Sequence, residues 1–307
     1  MTRAALRHAG LPNTPEGFGV QTHALVVRHG RSVALDGVDV EIRPGSITGL
    51  FGRNGSGKTT LASVIAAFRR PSAGTVLVAG QDPWENEELA PHILLVRESG
   101  DLLDDARIVE NIDFFADARP YFSREVAQGL LDMFELDPRM RPGGLSRGKR
   151  SAVGIALAIA ARAPLTILDE VHLGLDAPSR YLFYDALLAD YVAQPRTIVL
   201  ASNLIGEVER LLEDVVVLDA GRVLLHGDAD SLRNRGLTVT GPRATAAKFV
   251  ARRRVLRAQT LGRTGQFTVL GGLDPEAAAA GHSAGLAFRP APLQDLFVHL
   301  TTRRERP

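Results

Sequence analysis

The sequence predicts an α/β protein with a mixed, mainly parallel central sheet, an antiparallel β subdomain, a helical subdomain and a small C-terminal α+β domain. Three observations predict this fold class. From about residue 145 to 219, strand-like apolar runs alternate with helical runs, which is typical of a parallel sheet covered on both faces. An apolar run from Ile47 to Phe51 enters a glycine-rich loop that a helical run leaves. Past about Leu232, short strands alternate with helices rich in Ala and Arg.

The composition is that of an ordinary globular protein. The 307 residues are 45% hydrophobic and 23% charged, and the net charge of +1 gives no field that would attract nucleic acid. The absence of cysteine excludes disulfides, thiolate metal sites and a cysteine nucleophile, and it fits a cytoplasmic protein. No run reaches the ~18 apolar residues that span a bilayer. The first residues lack an apolar signal core, so residues 1–19 are predicted to be a flexible tail.

The N-terminal half begins with short strands and then becomes helical. Residues 20–47 contain the runs ALVV and VDVEI between glycine turns, which predicts an antiparallel sheet beside the glycine-rich loop. Further strands are predicted within Pro71–Gly80 and over His92–Val96. From Ser99 to about Gly144, the runs IVENIDFF and REVAQGLLDMFEL have helical spacing.

The second half supplies the alternating elements. A long helix after Leu145 precedes strand LTILDE, a helix over Pro178–Val192, strand RTIVLAS, a helix through Leu212 and strand DVVVLD. We therefore divide the chain into a tail (1–19), a large domain (20–232, with a helical subdomain at about 99–163) and a C-terminal α+β domain (233–307).

The octapeptide GRNGSGKT has the spacing of a loop that wraps a phosphate chain. Its glycines let successive N–H groups point at phosphate oxygens, and the start of the following helix, Thr60–Phe68, adds partial positive charge. Lys58 can reach the terminal phosphates, and the Thr59 hydroxyl can ligate Mg²⁺. The sequence therefore predicts a P-loop NTPase that binds a nucleoside triphosphate through Gly52, Asn54, Gly55, Ser56, Gly57, Lys58, Thr59 and Thr60.

Two carboxylates end the strand LTILDE. A carboxylate at the C-terminal end of a parallel strand lies where such sheets bind ligands. Asp169 is predicted to hold Mg²⁺, directly or through water, and Glu170 to polarise the attacking water. The alternative is that the two residues only end the strand.

Ser146 has two possible roles at the start of the long helix. It is a good helix N-cap. It can also present its hydroxyl, together with the Gly148 N–H and the positive helix end, to the γ-phosphate of a second nucleotide.

Five segments in this order resemble the ATP-binding subunits of ABC transporters: GRNGSGKT, LSRGK, LTILDE, LGLD and ASNLIGEVERL. The resemblance covers about Ala24 to Leu232 and is strongest to subunits of antibiotic and small-molecule exporters whose permease is a separate chain. The segment PLQDLFVHLT (Pro292–Thr301) also resembles the tails of those subunits.

The resemblance implies a cytoplasmic protein that is peripheral on the inner face of the cell membrane and binds ATP and Mg²⁺, but no nucleic acid. Two such subunits, identical or different, trap two ATP molecules between the phosphate loop of one and Ser146 and Gly148 of the other. Asp176 would couple the two sites across the interface, while capping the helix near Pro178 remains compatible with that role. The helical stretch 99–144 would grip the permease, whose conformation the dimer drives.

Four positions in three segments depart from the family pattern around the nucleotide. His29 stands where a tyrosine stacks on adenine, and it is either a stacking residue or a plain turn residue. Glu98 stands where a glutamine touches Mg²⁺ and water, so it is either a metal ligand with a catalytic role or an exposed loop acid. In LSRGK, Arg147 replaces a glycine and Lys149 a glutamine, whereas Ser146 and Gly148 are retained.

Two further departures follow the strands that carry the catalytic groups. Val171 replaces a proline after Glu170, and His172, which lies in a different loop from the family's switch histidine, is interpreted as structural. Asn203 replaces that histidine, and an amide donates a hydrogen bond but carries no charge. We expect ATP binding to persist and hydrolysis to be slowed by about 10²–10³-fold. The alternative is that Asn203 only positions the phosphate and Glu170 suffices.

Three functions remain from the sequence alone. The first is the energy-coupling ATPase of a membrane exporter. The second is a nucleotide-gated subunit of a heteromeric complex that scarcely hydrolyses ATP. The third, a soluble DNA-repair or translation factor, requires a long coiled coil or a second phosphate loop, and the sequence contains neither.

Overall fold

The computed structural model describes residues 17–98 and 101–302, and the chain forms two compact units. One unit extends to Asn203 and includes Val216–Leu225; the other comprises Leu204–Val215 and continues from His226. The second unit thus includes segments that precede Leu232, where the sequence analysis placed the boundary between the two domains. That domain boundary stays a prediction. Of the predicted tail, residues 1–16 lie outside the described residues. Residues 17–19 do not behave as a tail, because Phe18 is 2% exposed and its N–H donates to the Pro164 carbonyl at 3.1 Å.

The helices and strands follow one another along the chain as follows. In the N-terminal part they are β1 (Val20–His29), β2 (Ser32–Ile42), β3 (Ile47–Gly52), α1 (Lys58–Ile65), β4 (Ala73–Val78), β5 (Ile93–Arg97), α2 (Ile108–Ala118) and α3 (Arg124–Met133). The central part contains α4 (Arg147–Ala161), β6 (Leu165–Asp169), α5 (Ala177–Ala193), β7 (Thr197–Ser202), α6 (Ile205–Val208), β8 (Asp214–Asp219) and β9 (Arg222–Asp228). The C-terminal part contains α7 (Ala229–Arg233), β10 (Gly236–Pro242), α8 (Arg243–Val250), β11 (Val255–Leu261), β12 (Thr264–Leu270), α9 (Pro275–Ser283), β13 (Ala287–Pro290) and α10 (Leu293–Thr302).

The predicted antiparallel sheet is confirmed in the first unit. Its three strands are ordered β2-β1-β4, and Val20 of β1 pairs with Ile42 on one side and Val78 on the other. All three residues are buried in the main apolar core of the unit. The alternation of buried and exposed residues along β2 is the pattern that made these strands predictable.

The central sheet has the strand order β5-β6-β7-β3-β8-β9, and β5–β6, β6–β7 and β3–β7 pair in parallel, as predicted. All residues of β3, β6 and β7 are buried, because helices cover both faces of such a sheet. Phe51 lies opposite Ser202, and Asp169 lies opposite Ala201. The register therefore places the ends of β3, β6 and β7, and the loops that follow them, at one edge.

The helical region contains α2, α3 and α4. Helix α4 is buried from Ser151 to Ala161, in agreement with the predicted buried helix. The predicted helix through Leu212 is much shorter, because α6 ends at Val208 and a 3-10 turn, Glu209–Leu211, follows. Helix α1 likewise ends at Ile65, before the predicted Phe68.

The second unit contains a four-stranded antiparallel sheet, β11-β12-β10-β13, with helices packed on it. Its own small core is built on Val239, Val250 and Val269. Strand β11 was not predicted, because only Leu256 of its residues is even half-buried, so the sequence shows no apolar alternation there. Within the described residues, no helix has the length and apolar character needed to cross a membrane.

Candidate nucleotide-binding site

The phosphate loop joins β3 to α1, and its last glycine fixes where the helix begins. Gly57 is the N-cap residue of α1 and has φ 108°. A Cβ at this position would lie 2.6 Å from Leu35 Cδ2 and 2.8 Å from the Ala34 carbonyl oxygen. A side chain at position 57 is therefore excluded both by the positive φ and by overlap with Leu35 and the Ala34 carbonyl.

The loop forms one wall of a cleft of about 500 Å³. The structure brings most of the predicted site residues into this cleft; those that line it are His29, Asn54, Gly55, Ser56, Gly57, Lys58, Thr59, Thr60, Glu98, Glu170 and Asn203. Five separate stretches of sequence thus contribute to one polar cavity next to a helix start, which is an arrangement suited to an anion.

Lys58 and Glu170 meet in the cleft. Lys58 is 6% exposed; its Nζ donates to the Gly52 carbonyl at 2.9 Å and lies 3.4 Å from Glu170 Oε1. Burial raises the pKa of the Glu170 carboxyl, and the positive charge of Lys58 opposes that rise. The Lys58 ammonium group therefore lies between the phosphate loop and the Glu170 carboxylate, where it can meet a phosphate.

Glu170 has an unusual backbone conformation. Its φ of 55° and ψ of 23° lie in the left-handed region, and its N–H donates to the Ala201 carbonyl at 3.0 Å. Such a conformation costs a non-glycine residue about 1–3 kcal/mol and is found mainly at functional sites. Here it turns the chain from β6 into the 3-10 turn Val171–Gly174.

The residues at the end of β6 fit a magnesium ion. Asp169 is 3% exposed; burial raises the pKa of its carboxyl, while a hydrogen bond from Thr59 and the charge of Lys58 oppose the rise. Among the described residues, Asp169 Oδ1 and Ser56 Oγ are buried and have no hydrogen-bond partner. Mg²⁺ is commonly held by one or two carboxylates together with hydroxyl and phosphate oxygens, and this donor set meets that requirement.

Glu98, at the end of β5, forms an ion pair with Arg147 at the start of α4. The Ser151 hydroxyl also donates to the Glu98 carbonyl at 3.3 Å. Glu98 thus lines the nucleotide cleft but has a counter-charge supplied by the LSRGK segment. Its predicted roles in metal binding and catalysis stay predictions.

Ser146, Gly148 and Asp176 are not brought to the phosphate loop of the same chain. They line a separate cavity of about 470 Å³. The N-cap roles of both polar residues are confirmed: Ser146 Oγ accepts the Lys149 N–H at 3.3 Å, and Asp176 Oδ1 accepts the Ser179 N–H at 2.9 Å. Their roles toward a second nucleotide stay predictions.

Comparisons with known proteins agree with this geometry. Residues 35–172, which include the phosphate loop and both strand-end carboxylates, match the family described as ABC transporter. The chain belongs to this family.

Two ABC relatives and one solved structure indicate how far the likeness extends. The chain is 29% identical over 295 residues to the Nod factor export ATP-binding protein I of Cupriavidus metallidurans, covering 91% of this chain and 95% of that protein. It is 30% identical over 212 residues to the doxorubicin resistance ATP-binding protein DrrA of Mycobacterium tuberculosis, covering 67% of this chain and 64% of that protein. A structure described as the ATP-binding subunit of an ABC transporter matches with a TM-score of 0.63 and 24% identity over 70% of this chain and 91% of that one, which bears on the fold.

In this ABC protein one residue that the sequence predicted to be structural, His172, lies beside the Glu170 carboxylate. His172 is buried, as that interpretation requires, but its Nε2 lies 3.1 Å from Ser202 Oγ and 3.9 Å from Glu170 Oε2. Only Val171 separates the two residues in the sequence, but this spacing alone does not show that their side chains meet. Asn203 is exposed at the cleft, where the family pattern expects a histidine.

Proposed function

We propose that this ABC protein is the energy-coupling subunit of a small-molecule exporter, which binds ATP·Mg²⁺, dimerises around it and drives a separate membrane permease. One observation carries the proposal: Lys58 and Glu170 line one cleft, whereas Ser146 and Gly148 line another. A nucleotide enclosed from both sides then needs two subunits, one supplying each wall.

The direction and location of the proposed transport rest on the relatives. Their names refer to Nod factor export and doxorubicin resistance, both of which point to outward transport of small molecules. A subunit of such a system works peripherally on the inner face of the membrane, where it contacts its permease.

Each cleft residue has a chemical role in this proposal. Lys58 and the phosphate-loop N–H groups bind the β- and γ-phosphates, and Thr59 and Asp169 hold the metal ion. The metal neutralises developing charge on the phosphate oxygens when it is bound. Glu170 accepts a proton from the attacking water, a task that its raised pKa favours because the carboxyl then binds the proton more strongly. Asn203 donates an uncharged hydrogen bond to the γ-phosphate, so hydrolysis is slow.

A second candidate function is a nucleotide-gated subunit of a heteromeric ABC complex that hardly hydrolyses ATP. Asn203 favours it, as does the ion pair that engages Glu98. In that complex, Ser146 and Gly148 complete the active site of a partner subunit that performs the hydrolysis.

Removal of Lys58 tests the nucleotide site. We expect Lys58→Ala to weaken ATP·Mg²⁺ binding by at least about 10²-fold, because a buried cation that meets phosphate is lost. Isothermal titration calorimetry measures the Kd. Lys248→Ala, which removes a lysine from the second unit, is the matched control and leaves the Kd unchanged. Equal affinities of the Lys58→Ala chain and the parent would refute the site.

A further inference from the structure

The two carboxylate oxygens of Glu170 face different side chains. Oε1 lies 3.4 Å from Lys58 Nζ, and Oε2 lies 3.9 Å from His172 Nε2. If Lys58 engages a phosphate, Oε1 loses its closest cation and becomes available to a water molecule. The neighbour of Oε2 and the backbone N–H of Asn203, which also interacts with the carboxylate, then influence which way the carboxylate points.

His172 is held firmly in place. It belongs to the 3-10 turn Val171–Gly174 and is 3% exposed. Its ring packs on Tyr184 with centroids 6.4 Å apart, and its Nε2 is hydrogen-bonded to Ser202 Oγ at the end of β7. Because Tyr184 of helix α5 and Ser202 of strand β7 both contact the ring, its nitrogen is a fixed reference point for the Glu170 carboxylate.

Glu170 Oε2 needs a donor. It is buried and has no hydrogen-bond partner among the residues that the structure describes. An unsatisfied buried carboxylate oxygen is unfavourable, so a nearby N–H is expected to move to it. The gap of 3.9 Å exceeds a hydrogen bond, but catalytic hydrogen bonds are often long in the absence of substrate and shorten in the complex.

We propose that His172 is a positioning residue for Glu170: its Nε2–H moves from Ser202 Oγ to Glu170 Oε2 when nucleotide binds, and this hydrogen bond aims Oε1 at the attacking water. The proposal rests on the ATPase function proposed above. His172 thereby acts on Glu170 from the turn after β6, in a chain that has Asn203 where the family pattern has a histidine. The imidazole keeps its proton throughout, and Glu170 remains the group that accepts the proton of water.

Three variants separate positioning from packing. His172→Phe keeps a ring against Tyr184 but removes the N–H, His172→Gln restores an N–H donor, and Ser202→Ala removes the buried Ser202–His172 hydrogen bond without touching the donor. Both kcat for ATP hydrolysis and the Kd for ATP·Mg²⁺ are measured on the full chain, with its partner subunits where these are needed for turnover.

We expect His172→Phe to lower kcat by about 10- to 100-fold with the Kd unchanged within about twofold, because the carboxylate is misaimed while the phosphate site is intact. In His172→Gln, log kcat is expected to recover at least a third of the decrease that His172→Phe causes. The kcat of Ser202→Ala is expected to stay within about threefold of the parent value. The proposal is overturned if His172→Phe leaves kcat unchanged, if glutamine is no better than phenylalanine, or if Ser202→Ala matches His172→Phe, as a purely structural role requires.

A second readout does not depend on turnover. The His172 ring ¹⁵N signals, identified by their loss in His172→Phe, are recorded with a non-hydrolysable ATP analogue and Mg²⁺. The Nε2 signal is expected to shift in Glu170→Gln and not in Glu98→Gln, which neutralises another carboxylate of the same cleft. An unmoved signal in Glu170→Gln refutes the positioning role, whereas a parent chain that does not bind the analogue refutes the proposed function instead.

Discussion

Glu170 carries several unfavourable features at a single residue: a left-handed backbone, a buried carboxylate and one unsatisfied oxygen. Burial raises the pKa of its carboxyl, and the charge of Lys58 only partly opposes this. Because the folded chain binds this proton more tightly than the unfolded chain, the ionised residue destabilises the fold as the pH rises through the raised pKa. The site is therefore organised for nucleotide chemistry at the expense of the stability of the nucleotide-free chain.

The stability effect of Glu170 is testable. Glu170→Gln removes the buried charge, so we expect it to raise the Tm of the nucleotide-free protein at pH 7.5 by about 1–3 °C. The gain disappears below pH ~4, where the carboxyl is protonated in both the folded and the unfolded chain. Thermal unfolding across this pH range measures it, and Glu87→Gln, at an exposed position, is the control. A lower Tm of Glu170→Gln at pH 7.5 would contradict the expectation.

Asn203 gives a prediction for catalysis. An imidazole at this position can carry charge, so Asn203→His is expected to raise the rate of ATP hydrolysis by about 10-fold or more while the Kd for ATP stays unchanged. Turnover is compared with and without the partner subunits. Rapid hydrolysis by the parent chain, or no gain from histidine, would show that the amide is not what limits the rate.

The sequence predicted the residues of the cleft whose position depends on local spacing. Lys58 and Thr59 follow a strand and a glycine loop, and Asp169 and Glu170 end a strand, so their meeting follows from parallel strand order. The contact between His172 and Glu170 was not predictable in this way. It depends on the 3-10 turn after β6 and on Ser202 from another strand, which no local pattern reports.

At the scale of elements, the start of α4 packs tightly on the turn Val171–Gly174. A Cβ on Gly148 would lie 2.8 Å from the Gly174 carbonyl oxygen, and a Cβ on Gly174 would lie 2.3 Å from Ser151 Oγ. The helix that presents Ser146 and the turn that carries His172 are therefore in contact through glycines. A shift of either element is transmitted directly to the other.

This close packing predicts a stability difference between two glycine substitutions. Gly174→Ala is expected to destabilise the protein by about 1–3 kcal/mol, because the added methyl group overlaps the start of α4. Gly129→Ala, at an exposed position of α3 with open space around it, is expected to stabilise by up to about 1 kcal/mol. Urea unfolding measures both changes. Equal effects of the two substitutions would refute the packing argument.

The sequence predicted helices and strands where their buried residues form apolar runs. Strands β3, β6 and β7 are continuous apolar runs, and α4 is apolar over most of its length. Strand β11 is an edge strand whose residues are nearly all exposed, so only its pairing with β12 defines it. The α+β character of the second unit was thus correct, although one of its strands was missed.

At the scale of the whole molecule, the proposed function requires that a complete site be shared between two chains. Lys58 lines one cavity and Ser146 lines the other. A chain damaged in one cavity retains the other, so two differently damaged chains can form one intact site between them. This property separates a shared site from one that a single chain completes.

Mixing two inactive variants tests the shared site. Lys58→Ala removes the phosphate-loop cation, and Ser146→Asp keeps an N-cap residue but places a negative charge against the phosphate. For a homodimer, each variant alone is expected to be inactive, whereas an equimolar mixture recovers up to about a quarter of the parent ATPase rate, since half of the random dimers carry one intact site. A mixture of Lys58→Ala with a double Lys58→Ala/Ser146→Asp chain is the control and recovers nothing. Activity of Ser146→Asp by itself would contradict the shared site.

The pairing of Glu98 with Arg147 has an evolutionary consequence. The family pattern has two neutral residues at these positions, and this chain has opposite charges that meet. A lineage that acquires only one of them leaves a bare charge beside the γ-phosphate region or at the subunit surface. An acidic residue at 98 and a basic residue at 147 should therefore covary among relatives. Replacing Arg147 by the glycine of the family pattern should preserve the site only when Glu98 is replaced by glutamine at the same time.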